Sequence, residues 1–359
     1  MAKLLYKLAT GDDVYLYDKS IVIIFAGKRK VLSTSVYNGG YHEDFTSIYN
    51  HDAKIAAGMP CEILAPTYTE HMALISKRLE LDPQKTSGMA TAASMENVAI
   101  ETMSHQKLTV SAIVTAGIRS NSGRAGDAAD YYEPKQPLPR FGTINIMLVL
   151  NCNLPKGTLV RALVTCTEAK AVAIEELQFG SNYSTGVATG SGTDQTMIVA
   201  NAESDLYLDD SGKHSKLGEL IGKVIIKAVK SALNKQNNLN SRSQHNAISR
   251  LKRFGITAEK LWQMYLNSHH DLIKAQYLIK AETLASDKIM LTYTALLAHL
   301  IDEFNWQLID SDELYFAGEA LLNNIAKPYA ISLKAIEVTK NPDNLLLTWQ
   351  QLFNDIIAK

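Results

Sequence analysis

The chain has 359 residues, of which 46% are hydrophobic and 20% are charged, and its formal net charge is -1. This composition is typical of a globular protein with about two domains. The near balance of charge gives no electrostatic reason to expect nucleic acid or an anionic membrane as a partner. No apolar run is long enough for a membrane span, and the first residues lack the apolar core of a secretory signal. We therefore expect a cytoplasmic protein.

Strand and helix signals alternate over residues 1–235. The predicted elements are a hairpin of residues 13–17 and 20–26, strands over 30–37, 110–116 and 143–150, and a helix over 69–81. Two longer helices follow, each with apolar residues at helical spacing. One begins at Pro155 and the other follows residues 211–214. The pattern predicts a mixed α+β fold, with a mixed sheet covered by these two helices.

The composition changes at residues 234–246, which are rich in Asn, Gln and Ser and have no apolar period. Beyond them the sequence predicts helices alone. They cover residues 256–267, 271–285, 288–305, 312–325 and 344–357. We therefore expect a catalytic domain over residues 1–235 and an all-helical module over residues 236–359.

Three cysteines are spread along the chain without a C-x-x-C pair. Cys152 and Cys166 lie among apolar residues, so both are predicted to be reduced and buried. No metal site is predicted, because no set of ligands has suitable spacing.

The stretch GVATGSGTDQTMIVA, residues 186–200, contains a turn with glycines, hydroxyls and one carboxylate. A hairpin turn needs glycine for positive φ, but it does not need the hydroxyls or Asp194. Either the polar groups satisfy the backbone of the turn, or they face a ligand. The turn has no P-loop ending, and no G-x-G-x-x-G opens a helix in the chain.

Three other places carry candidate functional groups. Residues 117–131 form a polar loop after a buried strand, and such loops often carry ligand groups. Glu168 is predicted on a largely apolar helix, where it needs a partner such as Arg161 or Lys170, or a shifted pKa. His214 precedes a helix whose first N–H groups oppose its protonation. For each, the alternative is an ordinary solvated or ion-paired surface group. The loop residues in question are Arg119, Asn121, Arg124, Asp127 and Asp130.

Seven stretches of the chain carry a resemblance to a known family. They are VLSTSVYNGG (31–40), GMATAASM (88–95), VTAGIRSNSGRAGD (114–127), GTINIMLVLN (142–151), ALVTCTEAKAVAIEEL (162–177), ATGSGTDQTMIVA (188–200) and SGKHSKLGELIGKVI (211–225). In this order they resemble the CbiZ family of adenosylcobinamide amidohydrolases over residues 15–232. The chain has Ser191 and Ser215 where the family usually has threonine, so both hydroxyls are kept.

The resemblance implies hydrolysis of the amide that joins the propionyl arm of a corrin ring to aminopropanol. The products are adenosylcobyric acid and aminopropanol, used in corrinoid salvage and cobamide remodelling. The corrin rim carries amides, which favours a pocket with a polar fringe. The substrate brings its own cobalt, and no further cofactor is expected. The predicted substrate-binding residues are Asn38, Gly39, Gly40, Thr91, Thr115, Asn121, Arg124, Asp127, Thr143, Asn145, Thr189, Gly190, Gly192 and Lys216.

For the mechanism we expect water activated by the carboxylate of Asp194 or Glu168, with His214 protonating the departing amine. Backbone N–H groups of residues 190–193 would hold the oxyanion. The rival is a covalent route through Thr193 or Ser191 with His214 as base. A third route has the cobalt or a bound metal polarise the carbonyl.

A protein of another class fits the same sequence, namely a non-catalytic corrinoid-binding carrier or sensor. The helical module lies outside the resemblance. We expect it to be dispensable for hydrolysis and to serve assembly, for which a homodimer is the commonest arrangement.

Overall fold

The predicted alternation of strands and helices is present in the computed structural model, which describes residues 2–55, 61–129 and 143–359. The mixed α+β fold with a helical C-terminal region is confirmed. The chain divides into two units, residues 1–240 and residues 241–359.

Residues 1–240 contain strands and long helices. The strands are β1 (Lys3–Lys7), β2 (Asp13–Tyr17), β3 (Ser20–Ile24), β4 (Arg29–Ser33), β5 (Gly40–His42), β6 (Ser47–Asp52), β7 (Thr86–Thr91), β8 (Ala99–His105), β9 (Leu108–Ala116), β10 (Ser122–Gly123), β11 (Ile144–Leu150), β12 (Gly190–Ser191) and β13 (Gln195–Asn201). The helices of this unit are α1 (Tyr68–Arg78), α2 (Lys156–Glu175) and α3 (Lys216–Asn237).

The strands form two large sheets. The first has the order β1-β2-β3-β6-β7, and the second has the order β5-β4-β13-β11-β9-β8. Both are mixed, because β6 pairs with β7 in parallel and β11 pairs with β13 in parallel. The sequence predicted one mixed sheet beneath α2 and α3. That sheet is the second one, and the first sheet is an additional layer.

Alternate residues of β11 explain how the layers stack. Leu148 belongs to the core shared with α2 and α3, whereas Met147 belongs to the core between the two sheets. On the outer face of the first sheet, Met72 of α1 packs against Tyr49 of β6. The layers are therefore α1, the first sheet, the second sheet, and α2 with α3. Because β11 is covered on both faces, its sequence is apolar from Ile146 to Leu150.

Helix α3 begins just after residues 211–214, as the sequence pattern indicated. Ser215 is its N-cap, and the Ser215 hydroxyl accepts a hydrogen bond from the backbone N–H of Gly218 at 3.0 Å. Threonine can make the same cap, because its hydroxyl also accepts from a backbone N–H. Cys152 and Cys166 are buried free thiols, as predicted.

Residues 241–359 form a helical unit with its own core. Its helices are α4 (Ala247–Leu251), α5 (Ala258–Leu266), α6 (Lys274–Ala285), α7 (Lys288–Asn305), α8 (Ser311–Ala326) and α9 (Asp343–Ala358). Trp262, Tyr265 and Phe353 are buried in that core, while Trp306 is half exposed. Within the described ranges, no helix combines the length and apolar character needed to cross a bilayer. The role of this unit in assembly stays a prediction.

Two buried histidines lie between α1 and the first sheet. The His51 ring contacts the Ser20 hydroxyl at 2.8 Å, and its centroid is 6.3 Å from that of His71. Burial lowers the pKa of His51 to about 3, and the positive charges of His71, Lys19 and Arg78 add to the effect. Burial also lowers the pKa of His71. Both rings are therefore neutral at pH 7.

Acid should weaken the fold through His51. Its pKa is about 3 in the folded chain and about 6.5 in the unfolded chain, so the unfolded chain binds more protons between these values. The free energy of unfolding should then fall by on the order of 1–2 kcal/mol from pH 7 to pH 5. In His51→Asn this fall should be smaller, as measured by urea unfolding. The exposed-site control His105→Gln should keep the full fall, and an unchanged fall in His51→Asn would contradict the assignment.

Candidate active site

Buried polar side chains join the two sheets where β6, β7 and β9 end and β11 begins. The Asn50 amide of β6 donates to the Thr115 hydroxyl at 2.8 Å, and its oxygen accepts from the Asn145 amide at 2.7 Å. The Asn145 amide also donates to the carbonyl of Ala90 in β7 at 3.1 Å. We call this end of the two sheets the polar end.

Three residues form a row across the second sheet at the polar end. Strand pairing places Asn145 opposite Thr115 on β9 and opposite Gln195 on β13. Because side chains alternate along a strand, these three point to the same face as Met147, toward the first sheet. Thr91, the last residue of β7, also lies at this end. The predicted site residues Thr91, Thr115 and Asn145 are thus brought together.

The Asp194 carboxylate receives four hydrogen bonds. Its Oδ1 accepts from the backbone N–H of Ile144 at 2.9 Å and from the Ser191 hydroxyl at 2.6 Å. Its Oδ2 accepts from the backbone N–H of Ser191 at 3.0 Å and from the Lys170 ammonium. A carboxylate offers about four lone-pair positions. In this arrangement Asp194 has no position left for a water molecule.

Lys170 reaches Asp194 because residue 190 has no side chain. The side chains of Lys170 and Asp194 are 13% and 11% exposed. A Cβ atom on Gly190 would lie 2.3 Å from Asp194 Oδ2 and 2.7 Å from Lys170 Nζ. Gly190 is therefore required for this ion pair, rather than for a positive φ.

The turn of residues 189–194 does not close a hairpin. β12 pairs with β10, whereas β13 pairs with β11 and β4. The sequence left two explanations for the polar groups in this turn: they satisfy the turn itself, or they face a ligand. Asp194 and Ser191 fit the former explanation, since they bond within the turn. Gly192 and Thr193 are exposed at the tip of the turn.

Asn121 holds the exposed tip of this turn. Its buried amide donates to the Thr193 hydroxyl at 3.3 Å and accepts from the Tyr183 hydroxyl at 3.2 Å. The Thr143 hydroxyl donates to the backbone carbonyl of Thr193 at 2.7 Å. Gly192 packs beside Asn121, where an added Cβ would lie 3.4 Å from the amide oxygen. These predicted residues meet at the polar end.

Arg124 and Asp127 form a second small turn. The Asp127 carboxylate accepts from the Ser181 hydroxyl at 2.6 Å and from the backbone N–H of Arg124 at 2.7 Å. Burial opposes its charged form, but these hydrogen bonds and one from Ser184 lower the pKa of Asp127 overall. Asp127 therefore stays ionised and orders the loop.

Thr189 links this loop to the 189–194 turn. Its hydroxyl accepts from the backbone N–H of Ala125 at 2.9 Å, and its own N–H donates to the carbonyl of Gly123 at 2.9 Å. Arg119 donates instead to the carbonyl of Asn237 at the end of α3, at 2.6 Å. Asp130, another residue predicted for this loop, lies outside the described residues.

Asn38 is not at the polar end. The Asn38 amide donates to the carbonyl of Thr86 at 2.7 Å, at the start of β7. Since β7 has six residues, its start is about 17 Å from Thr91 at its end. Asn38 and Gly39 lie in the turn after β4, Gly40 begins β5, and the role of these three as substrate contacts stays a prediction.

Glu168 is exposed and pairs with Lys213 at 2.8 Å, not with Arg161 or Lys170. Glu168 and Lys170 are two residues apart on α2, so they point about 200° apart around its axis. Glu168 therefore lies away from Asp194. Glu168 thus has an ion-pair partner, as the alternative interpretation expected, but the partner is Lys213.

His214 and Lys216 lie at the start of α3 and are exposed. Lys216 pairs with Glu219. Helix α3 has 22 residues, so its two ends are about 33 Å apart. The end that lies at the polar end is the C-terminal one. There, Gln236 accepts a hydrogen bond from the backbone N–H of Ser94, which follows β7, at 3.1 Å. In the described part of the chain, no hydrogen bond or ion pair joins His214 to Asp194. The predicted pairing of these two as base and acid is not supported.

The predicted oxyanion donors are partly occupied. The backbone N–H of Ser191 donates to Asp194, and that of Thr193 donates to the Ser191 hydroxyl at 3.3 Å. Across residues 2–55, 61–129 and 143–359, we find no group of three His, Cys, Asp or Glu side chains that could hold a metal ion.

Sequence reasoning missed the role of Lys170, and it also missed Asn50 and Gln195. A signal for Lys170 was present, because it falls between Cys166 and Ala173 at helical spacing on the buried stripe of α2. A lysine on such a stripe requires a charged partner. Asn50 lies in β6, which contains too many polar residues for its sequence to predict a strand.

Comparison with known protein families agrees with the sequence motifs. The family described as CbiZ, adenosylcobinamide amidohydrolase, matches residues 5–241. The chain belongs to this family.

Individual relatives are more distant. The uncharacterized protein MJ1613 of Methanocaldococcus jannaschii is 32% identical over 234 residues, which are 62% of this chain and 88% of that protein. A Methanosarcina mazei protein named adenosylcobinamide amidohydrolase is 27% identical over 154 residues, 41% of this chain and 65% of that protein. The crystal structure of the PH0078 protein from Pyrococcus horikoshii OT3 covers 71% of this chain and 92% of its own, at 14% identity and a TM-score of 0.33.

Filling the space at Gly190 should destabilise the CbiZ unit. In Gly190→Ala the new methyl group would collide with Asp194 and Lys170, and we expect the free energy of unfolding to fall by about 1–3 kcal/mol. Chemical denaturation measures the change. Gly222→Ala is the matched control, because open space surrounds that position in α3, and it should leave stability equal or higher. Equal effects of the two substitutions would contradict the role given to Gly190.

Proposed function

We propose that this protein hydrolyses the amide between the corrin propionyl arm of adenosylcobinamide and aminopropanol, giving adenosylcobyric acid and aminopropanol. The proposal is supported by membership of the CbiZ family and by the name of the Methanosarcina relative. The observation that carries it is the turn of residues 189–194, where a hydroxyl, a carboxylate and an ammonium are in contact. These groups suffice for acyl transfer.

The predicted binding residues divide by exposure into two sets. Arg124, Gly192 and Thr193 are exposed, and Thr189 is partly exposed, so these are the groups we expect to touch the corrinoid. A second set is buried and holds the first set in position. The buried set is Thr91, Thr115, Asn121, Thr143, Asn145 and Gly190.

Ser191 is the proposed nucleophile. Its hydroxyl already donates to Asp194 Oδ1 at 2.6 Å, whereas Asp194 has no lone pair free for water. In the first step, Ser191 Oγ forms a bond to the amide carbon and its proton passes to Asp194. This choice selects the covalent route, with Asp194 in place of His214 as the proton acceptor.

Lys170 is the proposed donor to the leaving group. As the carbon–nitrogen bond breaks, Lys170 gives a proton to the nitrogen, and aminopropanol departs as an amine. The proton on Asp194 then returns to Lys170 across their existing contact. Water hydrolyses the Ser191 ester, releasing adenosylcobyric acid and restoring the hydroxyl. Atoms and charges balance without any further reactant.

The test compares two substitutions of Ser191 with one of His214. Ser191→Ala should lower kcat for adenosylcobinamide by at least ~10²-fold, because the nucleophile is removed. Ser191→Thr keeps the hydroxyl and should retain activity within about tenfold. His214→Ala is the control and should keep nearly full activity, because His214 lies away from the turn. Release of aminopropanol and adenosylcobyric acid is measured by chromatography.

A quenched reaction of wild-type protein should also carry the mass of one corrinoid acyl group on the peptide that contains Ser191. Full activity of Ser191→Ala would reject Ser191 as nucleophile, and loss of activity in His214→Ala would restore the histidine to the mechanism. If wild-type protein binds adenosylcobinamide and never cleaves it, the carrier or sensor function is favoured instead.

A further inference from the structure

One acceptor at the polar end has no protein partner. Gln195 Oε1 is buried, and no donor within the described residues bonds to it. The other two residues of the row, Thr115 and Asn145, are both hydrogen-bonded to Asn50. Gln195 is thus the exception in an otherwise satisfied polar row.

The Tyr68 side chain lies beside the Gln195 amide, which favours the charged form of the phenol. Burial nevertheless raises the pKa of Tyr68, which accepts from the backbone N–H of Ala90 at 3.1 Å.

An unpaired buried acceptor carries a desolvation cost that folding alone does not recover. At the edge of a candidate site, such a group is suited to a ligand donor. Gln195 directly follows Asp194 but points to the opposite face of β13, since successive side chains alternate. A group bound by Gln195 is therefore separate from the amide attacked by Ser191.

We propose that Gln195 Oε1 accepts a hydrogen bond from an N–H of a carboxamide on the rim of the corrinoid. This inference rests on the proposed function, because the corrin rim supplies the carboxamides. Gln195 would then contribute to ground-state binding and selectivity, not to the chemical step. The same amides are present in the substrate and in the product, so both ligands should benefit from the contact.

The test is Gln195→Met, which keeps the length of the side chain and removes the acceptor. We expect KM for adenosylcobinamide and Kd for adenosylcobyric acid each to rise about tenfold, the effect of one hydrogen bond. The value of kcat should stay within about threefold. The thermal midpoint of the unliganded variant should stay close to that of wild type, because removal of an unsatisfied buried oxygen offsets the lost amide contact with Tyr68. Gln84→Met, at an exposed loop position, is the control and should change none of these values.

Other outcomes separate the alternatives. A lower thermal midpoint would make Gln195 a structural residue. A lower kcat, or a higher KM for adenosylcobinamide with an unchanged Kd for adenosylcobyric acid, would place the contact at the cleaved amide. Unchanged KM and Kd in an active variant would also overturn the inference. Wild-type protein that neither binds nor cleaves adenosylcobinamide would reject the proposed function itself, and that result is visible before any variant is made.

Discussion

The Asp194 carboxylate is the constraint on which the polar end depends. Its four donors come from the start of β11, from the turn itself and from α2, so one side chain joins the second sheet, the turn of residues 189–194 and helix α2. A partly buried carboxylate is stable only with such compensation. The glycine at position 190 follows from this constraint, because any Cβ there would occupy the path of the ion pair. The exposed positions 192 and 193 are then held over the ends of the two sheets.

Periodicity predicted the helices well and the first sheet poorly. Helix α7 begins and ends as the apolar pattern indicated, over residues 288–305, because its stripe alternates with polar residues every turn. β6 and β7, with the sequences SIYNHD and TSGMAT, carry polar residues on both faces. Those groups are satisfied by partners distant in sequence, as Asn50 is by Thr115 and Asn145. No local pattern can reveal such pairing.

The site was predictable to the extent that it lies in loops at strand ends. Thr143, Asn121, Thr193 and Asp194 were found in this way, and the fold brings them together. His214 and Glu168 were selected for local chemistry, yet helix geometry places them elsewhere: His214 before α3, and Glu168 on the solvent side of α2. Lys170 was treated only as a neighbour of Glu168. Residue type alone therefore predicted which loops carry the polar groups of the site better than it predicted which residues contact those groups.

The central claim is that Lys170 and Asp194 act as one unit in stability and catalysis. A double-mutant cycle with Lys170→Met and Asp194→Asn tests it most directly, using both the free energy of unfolding and kcat/KM for adenosylcobinamide. We expect a coupling energy on the order of 2 kcal/mol in the free energy of unfolding. The kcat/KM of the double variant should be no lower than that of the less active single variant. Losses that simply add in both measurements would contradict it.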